Sequence, residues 1–256
     1  MQHKFDSTNR FSSRVENYIR YRPGYPDGIV SFFKGLGMLE DKMKIADIGS
    51  GTGISSELFL KNGNAVYGVE PNKEMREAAE RLLSAYKSFF SVNGTAEQTT
   101  LDDNSMDMIV AGQAFHWFDV AKAKREMVRI LRPGRYVALI WNDRKTDAGP
   151  FLTQYDALLH KYCIDYGEVN HKNIDAKVMN GFFGKDNWEE KVFPNAQLFD
   201  LEGLKGRILS SSYAPPETHP NFQPLMDAME ELFSRYHSNG KVSLDYDTRV
   251  FYGKIS

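Results

Sequence analysis

The clearest chemistry in this sequence lies in ten residues. Lys44 to Gly53 reads KIADIGSGTG, so Asp47 precedes glycines at alternate positions, Gly49, Gly51 and Gly53. Glycine adopts φ > 0 and has no Cβ, so a ligand can lie directly on the backbone of such a turn. Between a strand and a helix, a turn of this kind holds a nucleotide; a purely structural bend is the plainer alternative. Two residues decide which nucleotide. Dinucleotide spacing, G-x-G-x-x-G, needs a glycine where Ile54 stands. Asp47 adds a carboxylate that disfavours a pyrophosphate and suits an ammonium group. A cationic, phosphate-free nucleoside ligand is therefore expected over Gly49, Ser50, Gly51, Thr52 and Gly53, with Asp47 beside it.

Further along, NAVYGVEPN ends on Glu70, with Pro71 and Asn72 following. A carboxylate at a strand end accepts hydrogen bonds from ribose hydroxyls, or else is merely solvated. Met75, one turn on, either touches the base or packs into the core. QAFHWFD sets Gln113, Ala114, His116 and Trp117 at the exit of another apolar run. Ligands of open α/β sheets lie in the crevice outside strand ends.

These residues need elements to hold them. Ile45, Ala46 and Ile48 suit a buried parallel strand, and ISSELFLKNG suits a helix with Ile54, Leu58 and Phe59 on one face. Asn72 to Tyr86 reads as an amphipathic helix, and SFFSV as a third strand before Gly94-Thr95-Ala96-Glu97. That loop ends near a possible helix cap at Thr99 or Thr100. SMDMIVAG is a fourth strand, Asp119 to about Leu131 a helix that RPG ends, and RYVALIWND a fifth strand. Ahead of these, FSSRVENYIRYRPGYP predicts a leader helix capped near Ser12 or Ser13, then a proline connector. Five β-α alternations predict a doubly wound, mostly parallel sheet. Behind it come an irregular stretch from Asp143 to about Asn187, a strand near Glu190 to Asp200, two helices, and KVSLDYDTRVFYGKI as a long strand or hairpin.

In order, D-x-G-x-G-x-G, Glu70, the T-A-E loop, QAFHWFD and LRPG resemble the class I S-adenosylmethionine-dependent methyltransferases. The resemblance covers roughly Tyr18 to Asn142, and HWFD with Y-x-x-x-R-P-x-Y-P looks like the small-molecule subgroup that includes trans-aconitate methyltransferase. In many relatives the acidic residue at the second strand is Asp, where this chain has Glu70; either binds a diol. The resemblance implies an α/β, seven-stranded Rossmann-like sheet whose last strand inserts antiparallel. It implies S-adenosylmethionine as cofactor and S-adenosylhomocysteine as product. It also gives Tyr18 and Arg22 of the leader a place over the cofactor, and Thr95, Ala96 and Glu97 the adenine pocket. One domain is expected over residues 1–256, divided into a leader (1–36), a cofactor core (37–142), an inserted helical cap (143–187) and a sheet-completing part (188–256).

Methyl transfer from a sulfonium is an in-line displacement that alignment and desolvation can drive, effects worth roughly 7–11 kcal/mol at best. A carboxylate acceptor needs no base and calls for a bidentate arginine, with Arg144 and Arg22 as candidates. For a hydroxyl or amine, His116 is the candidate catalytic proton acceptor; a structural imidazole is the alternative. Trp117 and Trp141 offer ring faces to the sulfonium or to substrate, or are simply buried.

Composition narrows the partners. The chain has 256 residues, net charge −2 and one cysteine, Cys163, so it holds no internal disulfide. Interspersed charges give no footprint for nucleic acid, and no apolar segment is long enough to span a membrane. A cytoplasmic enzyme acting on a small-molecule methyl acceptor, without metal, is expected. The rivals are an NAD(P)-dependent oxidoreductase and a catalytically silent S-adenosylmethionine-binding protein. Oligomeric state is not legible.

Overall fold

The computed structural model describes residues 15–164, 166 and 176–255. Helices α1 (Val15–Tyr21) and α2 (Gly28–Gly35) flank the proline connector. The expected cap at Ser12 or Ser13 lies outside the described residues. Then β1 (Lys44–Ile48), α3 (Ile54–Lys61), β2 (Ala65–Val69), α4 (Lys73–Leu82), β3 (Phe89–Val92), β4 (Met106–Gly112), α5 (Val120–Ile130) and β5 (Leu131–Arg144) alternate. The chain continues through α6 (Pro150–Tyr162), α7 (Ala176–Phe183), β6 (Trp188–Phe199), α8 (Leu201–Leu209), α9 (Phe222–Tyr236) and β7 (Val242–Gly253).

The seven strands form one sheet in the order β3-β2-β1-β4-β5-β7-β6. Strands β1 to β5 are mutually parallel, and β7 runs antiparallel between β5 and β6. This is the doubly wound, mostly parallel sheet expected from the sequence. VSLDYDTRVFYG lies in one long strand rather than a hairpin.

Helices cover both faces, which is why KIADI and MDMIVAG are apolar almost throughout. Successive residues still point to opposite sides. Ala46, Ile48, Ile109 and Ala111 join Phe115, Met127 and Phe182 in one core. Ile45, Met108 and Val110 join Phe33 and Phe59 in the other. Each large side chain buried this way contributes about 1.5–3 kcal/mol.

A third cluster lies past the end of β5, where Arg144 pairs with Tyr246 of β7. There Leu152 and Leu159 of α6, Leu204 and Ile208 of α8, and Leu225 and Met229 of α9 pack around Leu244 and Tyr246. The expected cap over 143–187 is corrected by this packing. Of that segment's described residues, α6 joins this cluster, with Cys163 and Tyr166 packed against it; the apolar stripe of α6 needs α8 and α9 for cover. The other helix of that segment, α7, sends Met179, Phe182 and Phe183 into the main core. Residues 165 and 167–175 of the expected cap lie outside the described ones.

Candidate active site

The sheet order reverses at β1, with β2 on one side and β4 on the other. The carboxyl ends of β1 and β4 therefore open a crevice. Gly49, Gly51 and Gly53 all take positive φ, at 70°, 55° and 88°. A Cβ on Gly49 would sit 2.6 Å from the Ala114 methyl group, so only glycine lets the two strand ends close up. At Gly51 a Cβ would meet nothing within 4 Å, because that side of the turn is open.

Two chambers lie in this crevice. The first, about 260 Å³, has walls from the glycine turn (Gly49, Gly51), the end of β2 and start of α4 (Glu70, Pro71, Asn72, Met75), the loop after β3 (Thr95, Ala96, Glu97) and the exit of β4 (Gly112, Gln113, Ala114, Trp117, Phe118). Glu70 spans it. Its Oε2 accepts the Gly51 N–H at 3.0 Å and its Oε1 the Asn72 N–H at 2.9 Å. Burial raises its carboxyl above the usual range, and these two amides hold it back down. Each oxygen keeps a further lone pair for a ligand. Asn72 caps α4 by accepting the Met75 N–H at 2.9 Å. Glu97 accepts the Asp119 N–H at 2.9 Å. The loop itself is clamped by Glu126 of α5, whose Oε1 accepts from the Thr99 amide at 2.7 Å and hydroxyl at 2.6 Å. Thr99 therefore anchors a loop, and no helix begins there.

The second chamber, about 160 Å³, shares Gly49, Gly112, Gln113 and Trp117 with the first. Its other walls come from Arg22, Pro23 and Tyr25 of the connector, Ser50, Ile54 and Ser55, His116, and Asn142, Arg144 and Thr146 beyond β5. Tyr166, Arg207 of α8, Ser212 and Tyr213 just after it, and Tyr246 of β7 complete the chamber. The Arg22 Nη2 donates to the Ser210 carbonyl at 2.9 Å. Arg144 is ion-paired with Asp156, donates to the Tyr166 hydroxyl at 2.7 Å and lies 4.9 Å over the Tyr155 ring. The His116 ring lies 4.8 Å from that of Trp117.

Several expected site residues are placed elsewhere. Asp47 is corrected: its carboxylate lies beneath the turn, on the wall of neither chamber. Its Oδ2 accepts the hydroxyls of Ser55 at 2.7 Å and Ser56 at 2.6 Å, tying the first turn of α3 to β1. Its Oδ1 has no described partner, and burial pushes the carboxyl up to about 6 against those hydrogen bonds. Thr52 and Gly53 also face inward, with Thr52 only 2% exposed and Gly53 packed under Leu83 of the α4 end. Trp141 is corrected too. It is 3% exposed and meets Phe115 and Phe251 edge-on in the core, because its position on β5 points to the covered face. The Tyr18 side chain lies outside the described atoms.

Sequence reasoning did not single out Arg207, Ser212, Tyr213 or Tyr246 on the wall of the second chamber. Arg207 left one signal: it falls three residues after Leu204 and one before Ile208, on the apolar face of α8. A charge there belongs to a site or to a buried pair.

A glycine turn at the topological switch of a 3-2-1-4-5-7-6 sheet, with a strand-end carboxylate beside it, defines a nucleoside-binding methyltransferase fold. Residues 46–139 match the model of the family described as "Methyltransferase domain". An uncharacterized methyltransferase of Mycobacterium tuberculosis is 35% identical over 144 residues, 56% of this chain and 56% of that one. The chain thus spans about half the length of the mycobacterial relatives it matches. An uncharacterized methyltransferase-like protein of Schizosaccharomyces pombe is 26% identical over 94% of this chain and 93% of its own. Among solved structures, a candidate type II methyltransferase of Anaeromyxobacter dehalogenans superposes with TM-score 0.63 at 18% identity, over 91% of this chain and 98% of that one. Over residues 46–139 the chain is similar to a methyltransferase domain, and its fold is that of the class I S-adenosylmethionine-dependent methyltransferases. The cofactor of that family is S-adenosylmethionine, and the first chamber fits it: Glu70 has acceptor sites left for a diol, and Gly51 leaves bare backbone for the ligand to lie on.

Proposed function

We propose that the protein transfers a methyl group from S-adenosylmethionine to a small-molecule acceptor. One observation carries this reading: two chambers of unlike lining meet at Gly49, Gly112, Gln113 and Trp117, where a methyl group could pass between them. The carboxylate-lined chamber suits the nucleoside, with Glu70 on the ribose and Met75, Ala96 and Phe118 against the base. The second chamber, at about 160 Å³, has room for a small molecule. Bound cofactor supplies an electrophilic methyl group on a sulfonium. Protein groups align the acceptor, and Trp117 at the junction excludes water and presents a ring to positive charge. A carboxylate acceptor needs no deprotonation, whereas a hydroxyl or amine would pass its proton to His116.

Among the described residues no lysine or arginine lies on the first chamber's wall, so a diphosphate finds no counter-charge from them, against the oxidoreductase rival. Calorimetry of the full chain should give S-adenosylhomocysteine binding and no binding of NADH. Tighter NADH binding would reverse the reading. Methyl release in a screen of small carboxylic acids, phenols and amines separates an enzyme from a silent binder.

A further inference from the structure

Arg207 is a buried cation without a counter-charge among the described residues. Its side chain is 7% exposed and it lies on the wall of the second chamber. Its Nε donates to the Tyr246 hydroxyl at 3.3 Å and its Nη1 to the Ser211 hydroxyl at 3.1 Å. Among the described residues no hydrogen bond is made by its Nη2, and no carboxylate lies within 4.0 Å. Guanidinium cannot shed its proton to escape burial. Tyrosine and serine hydroxyls solvate a charge without neutralising it, and a buried unpaired charge is costly.

The neighbouring arginine shows the difference. Arg144, in the same chamber, is neutralised by Asp156. Among the described residues no aspartate or glutamate lies on the wall of this chamber, whereas Glu70 and Glu97 line the adjoining one and no described lysine or arginine does. The crevice is divided by charge, acidic on the nucleoside side and basic on the other. Burial sharpens that division, since low-polarity walls strengthen electrostatic contacts.

We propose that the methyl acceptor carries an oxyanion, a carboxylate or a phosphoryl group, and that Arg207 binds it through its unused Nη2 edge. This rests on the methyltransferase reading and names the substrate class of the second chamber. An oxyanion there completes the donor set of a planar guanidinium through charge-assisted hydrogen bonds. Tyr213, on the same wall, stands where it can add a neutral hydroxyl.

The test uses the full chain saturated with S-adenosylhomocysteine and titrated calorimetrically, at low ionic strength, with succinate, inorganic phosphate and uncharged succinamide. At least one anion should bind tenfold or more tightly than succinamide. Succinate ahead of phosphate marks a carboxylate acceptor, and the reverse order a phosphoryl one. Arg207→Gln should weaken anion binding at least tenfold while leaving S-adenosylhomocysteine affinity within twofold. Arg207→Lys, which keeps the charge and loses the planar fork, should fall between. Equal binding of all three probes by the native chain overturns the proposal, and so does unchanged anion binding in Arg207→Gln. A parallel loss of S-adenosylhomocysteine affinity overturns it as well, because Arg207 would then serve the cofactor. If Arg207→Gln does not fold, the native chain and Arg207→Lys decide the question. Failure of the native chain to bind S-adenosylhomocysteine would instead remove the methyltransferase reading itself.

Discussion

Two carboxylates of the first βαβ unit do different work, and their hydrogen bonds say which. Glu70 faces the first chamber with both oxygens half used by backbone amides. Glu70→Gln removes the negative charge and one acceptor, so S-adenosylhomocysteine affinity should fall about 10–100-fold, the size of a lost charged hydrogen bond. Calorimetry checks it, and unchanged affinity would exclude the ribose role. Asp47 is fully buried beneath the turn, and its carboxyl stands at about 6 against an ordinary 3.8. The folded state therefore holds this proton more tightly than the unfolded chain, and stability falls as pH rises from about 4 through about 6 and then levels off. Relative to Asp47→Asn, which cannot titrate there, the native chain should be about 1.4 kcal/mol more stable at pH 5 than at pH 8. Urea unfolding at both pH values measures the difference, and a gap of the opposite sign would contradict the burial argument.

At the scale of elements, the loop after β3 is positioned by a helix it does not belong to. Glu126 on α5 accepts from Thr99 twice and from Arg129 at 2.7 and 2.8 Å. Arg129 in turn reaches the Leu101 carbonyl at 2.7 Å. The Arg129 guanidinium and the Thr99 donors hold the Glu126 carboxyl down at about 2. This support is complete above the ordinary glutamate range and is lost as pH falls from about 4.5 toward 2. Glu126→Gln should cost about 1–2 kcal/mol at neutral pH, discounted for the partly exposed Arg129. Thermal unfolding reads the cost, and amide exchange at Ala96 and Glu97 should quicken more than in β1. The exit of β4 is also locally constrained. Gln113 takes φ of 56° there, an uncommon conformation outside glycine, and donates its Nε2 to the Asn142 carbonyl at 3.3 Å. That bend turns the chain after β4 so that Ala114 meets Gly49 and Trp117 reaches both chambers.

Across the whole molecule, the second chamber is assembled from parts far apart in the chain. The connector after α1, the exits of β1, β4 and β5, and the segment at the end of α8 converge on it, and the third apolar cluster holds the cap in place. Filling both chambers should tie these parts together. S-adenosylhomocysteine at 100 times its Kd should stabilise the chain by about 2.7 kcal/mol, and adding an anion that binds the second chamber should raise Tm again. Differential scanning fluorimetry checks both steps; no second rise would mean that the cap does not close on a ligand. Among the described residues no helix is long and apolar enough to cross a membrane.

The alternation of apolar strands with amphipathic helices, the glycine turn, and the acidic end of β2 are local patterns, and so was the topology that follows from them. A parallel βαβ run has one favoured handedness, which leaves little for tertiary structure to choose. The first chamber was legible for the same reason: Gly51, Glu70, Asn72, Met75 and Ala96 all follow strand ends of that run. Where a side chain points at a strand end was not. Asp47 and Trp141 carry suggestive chemistry, yet alternation along β1 and β5 turns them inward, and only neighbours far away in sequence reveal it. Arg207 lies more than 150 residues from the turn it faces across the crevice, and only the packing of α8 on β7 brings it there. Short-range spacing encodes the elements and the cofactor's bed. The walls of the second chamber depend on long-range contacts, which no local pattern carries.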